Sequence, residues 1–221
     1  MAHTVEILMT EFVTHDVKRF IVSRPEGFRY EPGQGVALSV QEPGWEDKER
    51  PFTPTCLRDD RVLEFTIKGY PERNGVTAKL HSLKPGARLS MSESFGTITY
   101  HGPGWFIAGG AGITPMLAIL RSLAAEGRME GNGLIFANTT PADIICEKEL
   151  RHYLGERCVL LCDRANGSGC TEGHITREFL AERIGSWDQH FYTCGPPRFN
   201  EVVNSALEEL GAAPEALVFE R

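Results

Sequence analysis

From Trp105 onward, four short apolar runs (WFIAGG, GLIFAN, CVLLCD and HFYTCG) are separated by stretches of helical period. This alternation restricts the fold more than any other feature of the chain. Short runs without polar interruption read as strands buried on both faces. Helical patterns fill the intervals at 115–126, 144–153, 175–184 and 197–210, and a last run, ALVFE, ends the series. Strand and helix in turn predict an α/β unit, a five-stranded parallel sheet with helices on both sides.

The first hundred residues have another rhythm. TVEILMTEF, VKRFIVSR, VALSV, RPFTPTCL, VLEFTIKGY and ARLSM are strand-like and parted by turn residues, with one short helical piece at 76–82. Six strands at this spacing predict an antiparallel β-barrel. Glycine and proline cluster in YHGPG at 100–104, which places the boundary between two domains, 1–101 and 102–221.

Composition narrows the function classes. No apolar run approaches the roughly eighteen residues of a membrane span. MAHTVEILMTEF lacks the basic start of a signal peptide, and six cysteines without paired spacing read as thiols, so a cytoplasmic protein is expected. A net charge of -7 argues against nucleic-acid or membrane partners. Cys158, Cys162 and Cys170 fit neither a plant-type cluster nor a zinc site, and no histidine pair has metal spacing, so no metal is expected.

The first apolar run of the second half ends in Gly109-Gly110-Ala111-Gly112. Such a turn lets backbone N–H groups approach a pyrophosphate; the plainer reading is a tight strand-to-helix turn. Ile113 follows, then Thr114 as N-cap and Pro115 at the first helical position. A second strand-end loop, Cys194-Gly195-Pro196, precedes the last helix. Two such loops on one sheet edge make a ligand crevice.

These residues carry a resemblance. EPGQ at 31–34, RPFT at 50–53, NGVT at 74–77, AGGAGITP at 108–115, CGPP at 194–197 and VFE at 218–220 stand in the order found in ferredoxin–NADP reductase-like flavoproteins. The chain resembles in particular the short bacterial flavodoxin or ferredoxin reductases, over almost its whole length. The resemblance implies a flavin-dependent NAD(P)H oxidoreductase that passes a hydride from nicotinamide to flavin N5 and then single electrons to an acceptor. It implies FAD rather than FMN on the barrel, and NADH or NADPH on the α/β unit.

By the same resemblance Arg50 pairs with the flavin phosphate, and Pro51 and Phe52 line the flavin, with Phe52 where the family usually has tyrosine. Thr53 meets flavin N5, Ile67 and Lys68 contact the cofactor, and Gly75, Val76 and Thr77 hold its phosphate. The plainer reading of Thr77 is an N-cap. Thr53, Cys194 and Glu220 are the implied catalytic group, ordering the site and relaying a proton. Relatives often carry an aromatic residue at or after the last strand, whereas here Arg221 follows Glu220.

The segment after the second parallel strand offers Asn138, Thr139, Thr140 and Asp143 but no arginine. Asp143 would repel a 2′-phosphate, accept ribose hydroxyls or cap the next helix, and Arg164 is the nearest alternative charge. The balance favours NADH. The acceptor implied is a separate ferredoxin or flavodoxin, or a small molecule, met by a basic face near Arg50, Lys79 and Lys84. A subunit active only within a larger complex and a non-catalytic nucleotide-binding module are the alternatives.

Overall fold

A computed structural model describes residues 3–219 apart from Thr97, Asn166 and Ser168. The first half is built from β1 (His3–Phe12), β2 (Val17–Ser23), β3 (Val36–Val40), β4 (Arg50–Phe52), β5 (Val62–Lys68), α1 (Val76–Ser82) and β6 (Arg88–Met91). These strands form one six-stranded antiparallel sheet in the order β4-β3-β6-β1-β2-β5. The isolated bridge Pro54–Phe65 draws the two outer strands together, so the sheet nearly closes into a barrel. Alternation turns Val5, Ile7, Phe20, Leu38, Leu63 and Phe65 inward. RPFTPTCL yields only a three-residue strand, because Pro51 and Pro54 lack the N–H that a ladder needs.

The second half runs β7 (Gly104–Gly109), α2 (Ile113–Ala125), β8 (Gly133–Asn138), α3 (Glu147–Leu154), β9 (Cys158–Cys162), β10 (Thr171–Glu172), α4 (Arg177–Arg183), β11 (His190–Cys194), α5 (Pro197–Glu209) and β12 (Leu217–Phe219). The sheet order is β10-β9-β8-β7-β11-β12, all parallel. It has six strands where the sequence predicts five. The extra one, β10, is two exposed residues without an apolar signal. Phe106, Ala108, Leu134 and Phe136 face α2 and α3, while Trp105, Ile107, Ile135 and Phe191 face α4 and α5.

The halves share packing. Val17 and Ile98 sit in the same cluster as Met116, Leu117 and Leu120 of α2. Gly33 of EPGQ has φ 95°, and a Cβ there would lie 2.1 Å from the Ile98 carbonyl and 3.1 Å from Ile119 Cδ1. Only glycine fits, so this motif serves packing. The connecting segment is pinned by the Tyr192 hydroxyl, which accepts from the His101 and Gly102 N–H groups and donates to the Gly102 carbonyl. No helix among the described residues is long and apolar enough to cross a membrane.

Candidate functional site

The carboxyl ends of β7, β8 and β11 open onto a cavity of about 820 Å³ whose other wall is the barrel. From the barrel come Pro51, Phe52 and Thr53, then Thr66, Ile67 and Lys68, with Thr77 from α1. From the parallel sheet come Gly109, Gly110, Gly112, Thr114 and Pro115, then Asn138, Asp143 and Asp163, with Cys194, Gly195 and Pro196. Residues distant in sequence thus meet on one cleft.

The glycine loop is tighter than its sequence predicts. Gly110–Gly112 wind a 3-10 turn that runs straight into α2, which starts at Ile113. Thr114 is therefore not the N-cap: its hydroxyl donates to the Ala111 carbonyl at 3.1 Å, and Gly112 caps α2 without a side-chain acceptor. Pro115 correspondingly lies inside the first turn. The N–H groups at this helix start have no side-chain partner and suit a phosphate oxygen.

Gly112 has a second task. A Cβ there would lie 2.2 Å from the Cys194 carbonyl, so the two strand-end loops touch backbone to backbone. Both also rest on Phe199 of α5, whose ring would lie 2.5 Å from a Cβ on Gly195 and 3.1 Å from one on Gly109. Phe199 lines the cavity, yet its position inside a helical run gave no sign of this.

Thr53 is half-buried, and its hydroxyl has no partner among the described residues. Cys194 is buried at the end of β11, in register with Ala108. Both atoms of the Asn138 side-chain amide are buried without a partner among the described residues, at 7 % residue exposure. Unpaired polar groups in a cavity wall are costly unless a ligand or water meets them. An apolar barrel wall of Phe52 and Phe95, opposed glycine loops and this amide fit a flavin on one side and a nicotinamide nucleotide on the other.

Lys68 binds Asp16 at 2.8 Å and stands 4.0 Å from Asp143. Burial would lower the Lys68 pKa, but the hydrogen bond and charge of Asp16, with Asp143 beyond, raise it. Burial likewise opposes ionisation of Asp16, and Lys68 and Thr14 outweigh it, holding the carboxyl low. Asp143 caps the turn Pro141–Asp143 by accepting from Thr140 N–H at 2.8 Å and from its hydroxyl at 2.6 Å. His15, Asp16 and Asp143 come within metal-ligand reach of one another, but the ammonium of Lys68 already supplies positive charge there.

Other residues singled out from the sequence stand apart. Arg50 is exposed, donates to the Glu49 carbonyl at 2.7 Å and lies off the cavity lining. Val76 and Ile113 pack in the two cores and Gly75 caps α1, and none of the three is among the lining residues. Thr77 is not that cap. Glu220 and Arg221 lie outside the described residues. Lys79 is committed to Glu42 at 2.5 Å, which removes it from a free basic face. Arg73, unnoticed in the sequence, lines the cavity with its guanidinium 4.8 Å over the Tyr70 ring. Arg164 is not among the lining residues.

Residues 4–100 match the oxidoreductase FAD-binding domain family, and residues 106–205 match the oxidoreductase NAD-binding domain family. The chain is 30% identical to NADH-cytochrome b5 reductase 1 of Coccidioides immitis, across 93% of its own length and 74% of the relative's. It is 26% identical to the ferredoxin–NAD(P)+ reductase component of the naphthalene 1,2-dioxygenase/salicylate 5-hydroxylase systems of Ralstonia sp, covering 91% of this chain and 63% of that one. The FAD/NAD-binding domain of a nitric oxide dioxygenase from Vibrio cholerae superposes with a TM-score of 0.87 at 22% identity, over 98% of this chain and 97% of that one. A ferredoxin NADP+ reductase from Neisseria gonorrhoeae, solved with FAD and NADP, gives 0.80 at 21%, over 95% and 92%.

Proposed function

The chain belongs to the ferredoxin reductase-like oxidoreductases that join an FAD-binding to an NAD-binding domain, and on that premise we propose that it oxidises NADH and passes the electrons singly to a small redox protein. FAD, when bound, takes up two electrons from reduced nicotinamide at N5 and releases them one at a time. The observation that carries the reading is the convergence of Thr53 and Cys194 from opposite walls on one cavity. The unpartnered hydroxyl of Thr53 is suited to hydrogen-bond flavin N5. Cys194 borders the place left for the nicotinamide ring, and Phe52 and Phe95 exclude water on the barrel side. The open N–H groups at the start of α2 hold the nucleotide pyrophosphate.

The preference for NADH rests on charge. Asp143 and Asp163 line the nucleotide end of the cavity beside the unpaired amide of Asn138. Two carboxylates oppose a 2′-phosphate and accept hydrogen bonds from ribose hydroxyls. The test is an anaerobic titration of the flavin absorbance with NADH and, separately, NADPH. Rapid bleaching by NADH at lower concentration supports the reading; a bound flavin that neither nucleotide bleaches would refute it.

The name "reductase component" borne by the Ralstonia relative favours a second reading, a subunit that turns over only with its partner proteins. Poor dye reduction by the isolated chain, restored by a co-purifying redox protein, distinguishes it.

A further inference from the structure

The walls of the cleft belong to different sheets, so its width depends on contacts between the halves. Among the described residues the most buried ion pair joining them centres on Arg121, midway along α2, whose side chain is 13% exposed. Its Nη1 donates to the Thr55 carbonyl at 2.7 Å and to Glu64 Oε1 at 2.6 Å, both on the barrel. Its Nε and Nη2 grip Glu149 of α3 at 2.6 and 2.9 Å. The Thr55 hydroxyl donates to Glu64 Oε1 at 2.7 Å, and Arg19 stands 3.4 Å from Glu64 Oε2. Burial would lower the Arg121 pKa, but Glu149 and Glu64 raise it, so the guanidinium stays charged. Every arm of this planar fork is engaged, a geometry that a lysine ammonium does not reproduce.

Two links give the cluster its consequence. The helix that carries Arg121 begins at the glycine loop, and the carbonyl it holds lies two residues beyond Thr53. We propose that Arg121 is a positioning residue that sets the separation between the nicotinamide-side loops and the flavin-side strand, acting through Thr55 on Thr53 without touching either cofactor. The inference rests on reading the cleft as the site where NADH reduces the flavin.

Arg121→Lys in the full-length flavoprotein tests it. Anaerobic stopped flow should show flavin reduction at saturating NADH slowed by roughly 10- to 100-fold, as expected for a displacement of about 1 Å between reactants. The NADH dissociation constant should change little, and the long-wavelength charge-transfer absorbance of the nicotinamide–flavin pair should weaken. Hydrogen exchange should accelerate in 53–56 and along α2. An unchanged rate, band and exchange pattern in the flavin-replete variant would overturn the proposal. If Arg121→Lys does not retain flavin, Glu64→Gln, which keeps the Thr55 contact, should give a smaller slowing in the same direction; wild-type rates there would equally overturn it. Should the wild-type flavin resist NADH, the functional reading fails, while the exchange comparison still decides whether Arg121 holds the halves.

Discussion

The ring of Phe199 occupies the space into which a side chain on Gly195 would grow, with Cδ1 2.5 Å from the position of a Cβ. The same ring limits Gly109, so one aromatic side chain of α5 supports both nucleotide loops.

Gly195→Ala should therefore displace either the ring or the CGPP loop. Overpacking of this kind costs about 1–3 kcal/mol, which corresponds to a rise of roughly 5- to 150-fold in the NADH dissociation constant if the loop bears the cost. Flavin content should not change, because the barrel is untouched. The double variant Gly195→Ala/Phe199→Ala removes the obstructing Cγ, Cδ1 and Cε1 atoms and should recover part of the affinity. No recovery would mean that the loop, not the ring, rejects the methyl group. Titration of each variant with NAD+ or NADH gives the numbers.

Thr53→Ala deletes one hydroxyl that has no partner among the described residues. Loss of a neutral hydrogen bond of about 1 kcal/mol predicts flavin reduction about fivefold slower at saturating NADH. NADH affinity and melting temperature should stay near wild type, since neither packing nor a protein hydrogen bond is lost. Wild-type rates in single-turnover experiments would remove Thr53 from the reaction.

How much of this was visible in the sequence depends on the range of the interaction. Local patterns were legible: α1 occupies the residues that its period marks, and α5 begins at Pro197 as its double proline indicates. The start of α2 was misplaced by two residues, because Gly110 at φ 54° lets the chain wind a 3-10 turn before the expected cap. β10 was invisible because an edge strand of two polar residues carries no period. Most of the cleft-lining residues lay in the motifs. Phe199 and Arg73, on the lining, and Arg121, behind it, did not, since each reads locally as an ordinary helical or turn residue. Arg121 becomes a buried interdomain donor only when α2 docks on the barrel, a contact that no short window encodes.

Stability should fall in mild acid. His81 is half-buried, its Nε2 lies 2.8 Å from the Ile67 carbonyl, and its ring packs near Phe20. Burial depresses its pKa below the ordinary value near 6.5, with Lys18 adding to this and the Ile67 carbonyl opposing it. A depressed folded pKa means that the unfolded chain takes up the proton first as pH drops. The stabilisation is complete above about pH 6.5 and is lost as pH falls through the folded value. Asp16 and Glu149, both held low, lose theirs only at or below the ordinary carboxylate range. Melting temperatures measured from pH 8 downward should thus decline below about 6.5, and His81→Gln should flatten that segment of the curve. An unchanged slope would assign the decline to other groups.

Asp163 offers the cleanest test of nucleotide choice. Asp143 is tied into its turn by Thr140 and faces Lys68, so replacing it would disturb the loop as well as the charge. Asp163 follows β9 and lines the cavity, and its Oδ1 lies 3.1 Å from Nδ1 of exposed His174. Asp163→Ser keeps a small polar side chain and removes one negative charge from the region where a 2′-phosphate would lie. At the separations of such a pocket, partly screened by solvent, that repulsion is worth on the order of 1 kcal/mol, so kcat/KM for NADPH should rise about fivefold. For NADH, loss of a carboxylate acceptor for ribose hydroxyls should lower kcat/KM several-fold, about 1 kcal/mol. The two changes should converge as salt is raised, because screening weakens the charge effect and leaves the hydrogen bond. If NADPH use does not improve while NADH use falls, Asp163 binds ribose but does not exclude the phosphate, and discrimination then rests with Asp143 and the amide of Asn138.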